Sequence, residues 1–412
     1  MVSCGKVGAS LLLLATEARC SARGRLKTEK ETPINSLAAT QTLPSPEDRA
    51  PAQALWDRIR LLLPPRQLAE LRRAPAGELW ALCEVLCLES QRQCAQDPAA
   101  AATLAELALK VADRVVGEAS WRSKVRGLAW AHVANALRAK GDFPAAERAF
   151  LSADRHWKAG EEAQNGLLEE GLLFALRASL RRSQRRFEDE AALLEQASAA
   201  ASSLKFRIQV LLSQAKLAKE MGKLDRAVEI LLQASEIAIP DDDGRVVLSI
   251  QHGLADNLSK LDRFPEAEAL LPAVIDLSRK CGGEVDLIRL RWIEGRVAAG
   301  LGHRDAGVAT LRKVRGELAA RHLTFDTALV SLELAILYSE QGQAEEVKSL
   351  ARHMVPIFRA RNVNPEILDA LSLFRQAAER ERVSTELARK ILAYLRKARH
   401  NPGLRFEAEA SA

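Results

Sequence analysis

Three cysteines close together in the chain are the residues best suited to bind a metal. Cys83, Cys87 and Cys94 are spaced i, i+4 and i+11, so they share one face of a helix. A structural zinc site takes four ligands, and no histidine or fourth cysteine stands nearby at ligand spacing. We therefore expect these cysteines to fill a helical core and predict neither a metal nor any other cofactor. Scattered, unpaired cysteines are also typical of a reducing compartment.

Two other patterns resemble catalytic or cofactor-binding motifs, and neither has the context that its chemistry needs. Ser213 and Lys216 have the Ser-x-x-Lys spacing of penicillin-binding enzymes, but the companion motifs of those enzymes are absent. Gly300, Gly302 and Gly307 echo a dinucleotide-binding fingerprint, which requires a preceding strand that this sequence does not predict. There is no phosphate-binding loop motif, and the seven histidines are spread along the chain. The sequence therefore predicts a protein that is not an enzyme.

The elements that must position any functional residues repeat with a period near 40 residues. A small residue lies seven positions before each of six predicted turns, and the turns are 44, 37, 40, 40 and 40 residues apart. The small residues are Ala134, Ala178, Ala215, Ala255, Gly295 and Ala335. The turns centre on Gly141, Arg185, Gly222, Asp262, Gly302 and Gly342. A fixed period of this size indicates a solenoid of helical hairpins, in which small residues let paired helices approach closely.

The repeat resembles the tetratricopeptide repeat (TPR) family over about residues 122–360. The best match carries Trp130, Ala134, Gly141, Ala146, Phe150 and Ala153. A usual TPR spans about 34 residues, so the longer period here implies longer helices. HEAT-type repeats also span about 40 residues, but small residues at fixed offsets on both sides of the turn favour the TPR interpretation. The resemblance implies an all-α fold, a right-handed α-α superhelical solenoid with about seven antiparallel helix pairs between residues 77 and 360.

Changes in composition divide the chain into four predicted segments. Residues 1–50 are expected to be disordered or poorly ordered, and residues 51–121 to form N-terminal helices with a capping hairpin. Residues 122–360 contain six TPR-like repeats, and residues 361–412 contain C-terminal capping helices and a short tail. The apolar run from Val7 to Ala15 weakly resembles a signal peptide but is short and interrupted, so we expect a cytoplasmic protein rather than an exported one. No run reaches the roughly 18 apolar residues of a membrane span.

The TPR resemblance implies a partner-binding site on the concave face, which the first helix of each hairpin lines. Fixed offsets from the turns place a mostly basic and polar stripe there. The predicted partner-binding residues are His132, Asn135, Arg138, Arg182, Lys216, Lys219, His252, Lys260, Arg289, Trp292 and Arg296. Trp292, flanked by two arginines, has the composition of an interface hot spot. The same offsets place Glu333 and Glu340 farther along, so the stripe turns acidic at its far end.

These patterns predict a non-enzymatic scaffold that binds a protein or an acidic peptide in a partly basic groove. A net charge of +6 is compatible with an acidic partner. Nucleic acid is not expected on the repeats, because the arginine run from Arg177 to Arg186 lacks interleaved aromatic residues. The alternative is the sensor or effector array of a bacterial transcriptional regulator. Its DNA-binding domain would be missing or supplied in trans, since the first 50 residues show no convincing helix-turn-helix pattern.

Overall fold

Helices joined by short turns make up the described part of the protein, in which no residue belongs to a strand. The computed structural model describes residues 43–62, 64–163, 166–238, 244–359, 365–380, 383–398 and 406. The helices are α1 (Arg49–Ile59), α2 (Pro64–Arg73), α3 (Leu79–Gln93), α4 (Pro98–Ala112), α5 (Ala119–Ala139), α6 (Phe143–Ala159), α7 (Gly171–Ser183), α8 (Phe187–Ala199), α9 (Leu204–Glu220), α10 (Leu224–Ile237), α11 (Gly244–Lys260), α12 (Phe264–Cys281), α13 (Glu284–Gly300), α14 (Arg304–Ala320), α15 (Thr324–Glu340), α16 (Ala344–Arg359), α17 (Pro365–Glu379) and α18 (Thr385–Ala398).

Consecutive helices from α3 to α16 pack against one another as hairpins, and successive hairpins stack. In the described part of the chain, this span contains the seven pairs from α3–α4 to α15–α16. Each hairpin after the first pair has its turn at one of the six positions that the repeat marks. The architecture is therefore the predicted all-α solenoid of TPR-like helical hairpins.

The six predicted turn centres all adopt left-handed backbone conformations. Gly141 has φ of 84°, and the non-glycine residues Arg185 and Asp262 have φ of 63° and 59°. In the first of these turns, the N–H of Asp142 donates to the carbonyl of Leu137 at 3.0 Å, which satisfies a carbonyl at the end of α5. The same i to i−5 bond recurs from Arg263 to Leu258. A common capping geometry, more than glycine itself, thus defines the turn.

Small residues permit the close helix contacts within a hairpin, as the contact between α13 and α14 illustrates. Gly307 stands where other hairpins carry alanine, for example Ala146 and Ala227. A Cβ atom on Gly307 would lie 2.7 Å from the Cβ of Ala299 and 2.9 Å from the carbonyl oxygen of Gly295. Glycine therefore replaces alanine because the backbones approach too closely here for any side chain.

The N-terminal helices begin earlier than the sequence predicts. Ser45 caps a short 3₁₀ turn, and α1 starts at Arg49, inside the segment 1–50 that was expected to be poorly ordered. The carboxylate of Asp48 accepts a hydrogen bond from Trp80 Nε1 at 2.6 Å, and Arg49 donates to Glu84 at 2.6 Å and to the Leu167 carbonyl at 2.6 Å. These contacts tie residues 48 and 49 to the helical core.

Residues 1–42, including the run from Val7 to Ala15, lie outside the described residues. Of the helices that the structure describes, none combines the length and apolar character needed to cross a membrane.

The last helix, α18, leaves the stack and folds back against α15. Helix α17 packs against α16 as the next element of the solenoid, whereas α18 packs mainly against α15, the first helix of the preceding hairpin. The buried face of α18 consists of Ala388, Ile391, Leu392, Tyr394, Leu395 and Ala398. These side chains join the apolar cluster of α14 to α17. Helix α18 is therefore a fixed part of the core and does not lie at the end of the stack as a simple cap.

Candidate functional site

A buried carboxylate, Asp256 on α11, lies at the centre of a charged network among the first helices of the hairpins. Its Oδ2 atom accepts hydrogen bonds from Lys219 Nζ on α9 and from Lys260 Nζ on α11, both at 2.6 Å. Its Oδ1 atom lies 3.3 Å from Arg296 Nη1 on α13. One carboxylate thus joins the first helices of three successive hairpins. Such a contact is possible because the period stacks residues about 40 positions apart next to one another.

A second carboxylate, Glu333 on α15, extends this network to the C-terminal helix. Glu333 accepts hydrogen bonds from Trp292 Nε1 at 2.6 Å, from Arg296 Nη2 at 3.0 Å and from Arg396 Nη2 on α18 at 2.7 Å. The Arg296 guanidinium also lies over the Trp292 ring, 5.5 Å from its centroid. The polar atoms of Trp292 and Arg296, which the sequence suggests as a hot spot, are therefore already engaged within the protein.

The pKa directions in this network follow from burial and from opposite charges. Burial alone would raise the pKa of the Asp256 carboxyl, but Lys219, Lys260 and Arg296 outweigh it and hold that pKa well below its usual value. Burial lowers the pKa of Lys260 well below its usual value despite the attraction of Asp256, and neighbouring cations lower it further. Burial would also raise the pKa of Glu333, but Arg296 and Arg396 lower it overall. The ionised form of each carboxylate is thus stabilised by the cations around it.

A cavity of about 580 Å³, which we call the groove cavity, lies beside this network between α9, α11, α13, α15 and α18. Its basic lining residues are Lys216, Lys219, Lys260, Arg289, Arg296, Arg396 and Lys397. Its acidic lining residues are Glu220, Asp256 and Asp326. The basic lining side chains exceed the acidic ones by four. Glu333, behind the wall, pairs with Arg296 and Arg396, and an excess of positive charge remains. A second cavity of about 570 Å³ shares Lys260, Arg296 and Arg396 with the first.

Most of the predicted partner-binding residues meet in the groove cavity. Lys216, Lys219, His252, Lys260, Arg289, Trp292 and Arg296 all line it. The exposed fractions of the charged side chains decide which of these residues a partner can reach. The side chains of Lys219 and Arg289 are 41% and 44% exposed, whereas that of Arg296 is 12% exposed. Arg296 therefore supports the site from below, and the exposed lysines and Arg289 form its accessible surface.

Four of the predicted residues do not line the groove cavity. His132 and Asn135 are 1% and 3% exposed, so the expectation that they face a partner is wrong. Their helix, α5, packs against α3 as well as α7, and Asn135 Nδ2 donates to Cys94 Sγ at 3.3 Å. Arg138 donates to Asn135 and Ser183, and Arg182 Nε donates to Glu190 at 2.7 Å. The offsets from the turns do not account for the capping hairpin that covers this part of α5.

The buried imidazole of His132 makes stability depend on pH. Burial lowers its pKa from 6.5 to about 4, and neither ring nitrogen has a hydrogen-bond partner in the described structure. The imidazole is therefore protonated at a higher pH in the unfolded chain than in the folded protein. As a result, the free energy of unfolding falls as the pH drops from about 6.5 to 4. The full loss amounts to about 3 kcal/mol.

We expect His132→Leu to reduce the slope of unfolding free energy against pH in this window. Urea unfolding at several pH values measures it, with the exposed His303→Gln as the matched control. An unchanged slope in His132→Leu would contradict the assignment.

Two of the three cysteines near α3 lie in the apolar core, whereas Cys94, just after the end of the helix, is only partly buried. Cys83 and Cys87 are buried among the apolar side chains of the N-terminal helices, and burial raises the pKa of Cys87 well above its usual value. In the ranges that the structure describes, no group of three His, Cys, Asp or Glu side chains is placed to hold a metal ion.

Sequence reasoning missed two contributions to the site. The first is Asp256, whose central position depends on contacts with α9 and α13 that no local pattern reveals. Arg396 and Lys397 come from α18, beyond the repeats. One signal was present: the basic face of α18 matches the acidic end of the predicted stripe at Glu333 and Glu340. That complementarity identifies where α18 docks.

Comparison with known proteins supports the fold. No family model matches the sequence, and no curated protein matches it. Among solved structures, the chain is similar to that described as "Crystal Structure of Rap Protein Complexed with Competence and Sporulation Factor". The TM-score is 0.54 at 12% sequence identity, and the match covers 79% of this chain and 88% of that chain. At this identity the likeness concerns the fold alone. Together with the helical hairpins described above, it establishes a TPR-like helical repeat architecture.

Proposed function

We propose that this protein is a non-enzymatic scaffold that binds an acidic segment of a partner protein, or an acidic peptide, in the groove cavity. The observation that carries the proposal is the excess of basic over acidic side chains along the cavity, which remains after Glu333 has paired with Arg296 and Arg396. The similar solved structure is described as a complex with Competence and Sporulation Factor, which supports a binding role for a solenoid of this shape.

The charge balance favours an anionic ligand for a physical reason. Lys216 makes no hydrogen bond or ion pair with any described residue, although Arg182 and Lys219 are close enough to affect it. Desolvation lowers the pKa of Lys216, and the repulsion of those cations lowers it further, whereas Glu220 and Glu190 only partly offset this effect. A carboxylate placed in the cavity relieves this repulsion and accepts charge-assisted hydrogen bonds, which are stronger than neutral ones. The affinity should therefore reside in the carboxylates of the ligand.

The residues expected to contact the ligand differ from the hot spot that the sequence suggests. Lys216, Lys219 and Arg289 are exposed to the cavity, whereas Arg296 is largely buried and bonded to Ser259, Asp256 and Glu333. Truncating Arg296 would leave buried carboxylates unpaired and perturb the fold itself. Charge reversal at the exposed positions is the cleaner test of function.

We expect the double variant Lys216→Glu, Arg289→Glu to weaken binding of a fluorescein-labelled hexaglutamate peptide by about tenfold or more. The parent protein should also lose affinity as salt is added, because exposed charges are screened. Fluorescence anisotropy at low and high ionic strength measures both effects, with labelled hexaglutamine as the uncharged probe.

The matched control for this experiment is Lys205→Glu, Arg279→Glu, which reverses two exposed charges on α9 and α12 away from the cavity. Arg289 lies 3.6 Å from the buried Asp326, so thermal unfolding of the cavity variant must be compared with that of the control. Lys216→Glu alone, at a residue with no ion pair to a described residue, should weaken binding without lowering the unfolding temperature. Equal affinities of the parent and the cavity variant for hexaglutamate at low salt would overturn the proposal.

The sensor-array alternative remains a prediction from the sequence. It uses the same concave face for its signal and differs in requiring a DNA-binding module. No observation on the described residues supplies one, so the scaffold is the function that the cavity supports best.

A further inference from the structure

Helix α18 occupies the acidic end of the concave face with its own basic residues. Arg389 donates to Glu340 at 2.9 Å, and Arg396 donates to Glu333 at 2.7 Å. The hydroxyl of Ser339 donates to the Val383 carbonyl at 3.3 Å, just before α18 begins. The apolar face of α18 is buried in the core, so both apolar packing and these polar bonds fix the position of the helix. The acidic end of the groove is therefore satisfied within the chain, and only its basic part is left for a partner.

The C-terminal end of α18 reaches the far side of the groove cavity, at the turn that follows α9. Lys397 Cε lies 3.8 Å from the position that a Cβ atom on Gly222 would occupy. Lys216 stands earlier on α9, and both lysines line the same cavity. Neither lysine has a hydrogen bond or ion pair with a described residue, and both are exposed to the cavity. Two ammonium groups from elements that are distant in sequence thus line one cavity, and neither forms an ion pair with a described residue.

The carboxylates near these lysines are committed elsewhere. Glu220, on the same helix as Lys216, lies 3.9 Å from Arg182 and is largely buried. Asp256 accepts hydrogen bonds from Lys219 and Lys260. No carboxylate among the described residues bonds to Lys216 or Lys397, so this position is open to a carboxylate of a partner.

We propose that Lys397 of α18 and Lys216 of α9 together bind one carboxylate of the acidic segment, so that α18 is part of the binding site. This inference rests on the proposed function and specifies it further. A carboxylate accepts several hydrogen bonds and can therefore bridge two ammonium groups. The ligand would then link the third repeat to the C-terminal helix across the groove.

The test compares single lysine variants of the full-length chain, with fluorescein-labelled hexaglutamate as the probe. We expect Lys397→Gln to weaken binding about three- to tenfold, and Lys397→Arg, which keeps the charge, to retain most of the affinity. Lys390→Gln is the matched control, because Lys390 lies on the same helix, pairs with Glu386 at 3.3 Å and does not line the cavity. It should bind like the parent. Lys397 is exposed, so the thermal unfolding of its variants should match that of the parent.

A double-variant cycle separates a shared carboxylate from two independent contacts. If one carboxylate bridges both lysines, Lys216→Gln and Lys397→Gln are coupled, and the combined loss differs from the product of the single losses. A double-variant loss of affinity equal to the product of the two single-variant losses would overturn the bridge. If Lys216→Gln weakens binding and Lys397→Gln does not, the groove cavity stands as the site and the role of α18 is rejected. If neither variant changes the affinity, the proposed function fails together with this inference.

Discussion

Asp256→Asn is expected to lower the free energy of unfolding by about 3–5 kcal/mol, the usual effect of breaking a buried ion pair. Asparagine keeps the shape of the side chain but removes the charge that Lys260 and Arg296 share. Both cations are largely buried, with side chains 15% and 12% exposed, so water cannot replace the lost partner. The penalty is chiefly that of leaving Lys260 without its carboxylate partner inside the protein, since Arg296 keeps its ion pair with Glu333.

The chain offers a matched control for this variant. Asp276 and Lys280 on α12 form the same i, i+4 ion pair at 2.7 Å, but their side chains are 60% and 68% exposed. Asp276→Asn should therefore change the free energy of unfolding by about 0–1 kcal/mol. Urea unfolding at neutral pH, followed by circular dichroism, measures both variants. Similar small effects at the two positions would mean that the network around Asp256 contributes little to stability.

The effect of Asp256→Asn should also depend on pH in a defined direction. The folded protein holds the pKa of Asp256 well below its ordinary value. The carboxylate is therefore protonated at a higher pH in the unfolded chain than in the folded protein. The stability that the carboxylate contributes is therefore present above pH of about 3.9, the ordinary pKa of an aspartate, and is lost as the pH falls through the lower folded value. The difference between parent and variant should shrink in strong acid, provided that the proteins remain folded there.

The fold could be predicted from the sequence because the repeat encodes it locally. Each hairpin needs a left-handed turn and small residues near it, and both features recur at a fixed spacing. Arg185 and Asp262 show that the spacing carries more information than the residue type, since neither is glycine and both adopt positive φ. A solenoid also has mainly contacts between neighbouring hairpins, so few long-range contacts have to be guessed.

The part of the site that could not be predicted depends on contacts outside the period. The position of α18 follows from an apolar face and charges that match α15, and no repeat offset applies to it. The burial of His132 depends on the capping hairpin, which lacks the repeat pattern. Sequence offsets therefore identify which side of a helix faces the groove, but they do not reveal what covers it.

The arginine run around the second turn shows the same limit for charge. Sequence alone leaves these residues available for a phosphate or a carboxylate ligand. In the structure, Arg177 pairs with Asp154, Arg181 with Glu147, Arg182 with Glu190 and Arg186 with Asp189. Most of these partners lie on a neighbouring helix, so the run stabilises the stacking of hairpins. Counting charges along the sequence thus overestimates the positive charge that is available to a ligand, because acidic residues of other helices pair with the basic ones.

Ala215→Glu is expected to destabilise the protein by at least about 4 kcal/mol, since it combines overpacking with burial of an unpaired carboxylate. Ala215 is 3% exposed and belongs to the apolar cluster that contains Ala227 and Leu231 of α10. It is the small residue seven positions before the turn at Gly222, so the variant tests whether that position determines the close contact between α9 and α10.

The matched control is Ala192→Glu, which places the same side chain at an exposed position within α8. It should change stability by less than about 0.5 kcal/mol, as most surface substitutions do. Ala215→Ser separates size from charge, because serine adds one oxygen atom and no charge. We expect its effect to lie between those of the other two variants in urea unfolding. If Ala215→Glu unfolds at the same urea concentration as Ala192→Glu, the small residues do not set the packing of the hairpin. The period would then have identified the fold for another reason, namely the spacing of the turns alone.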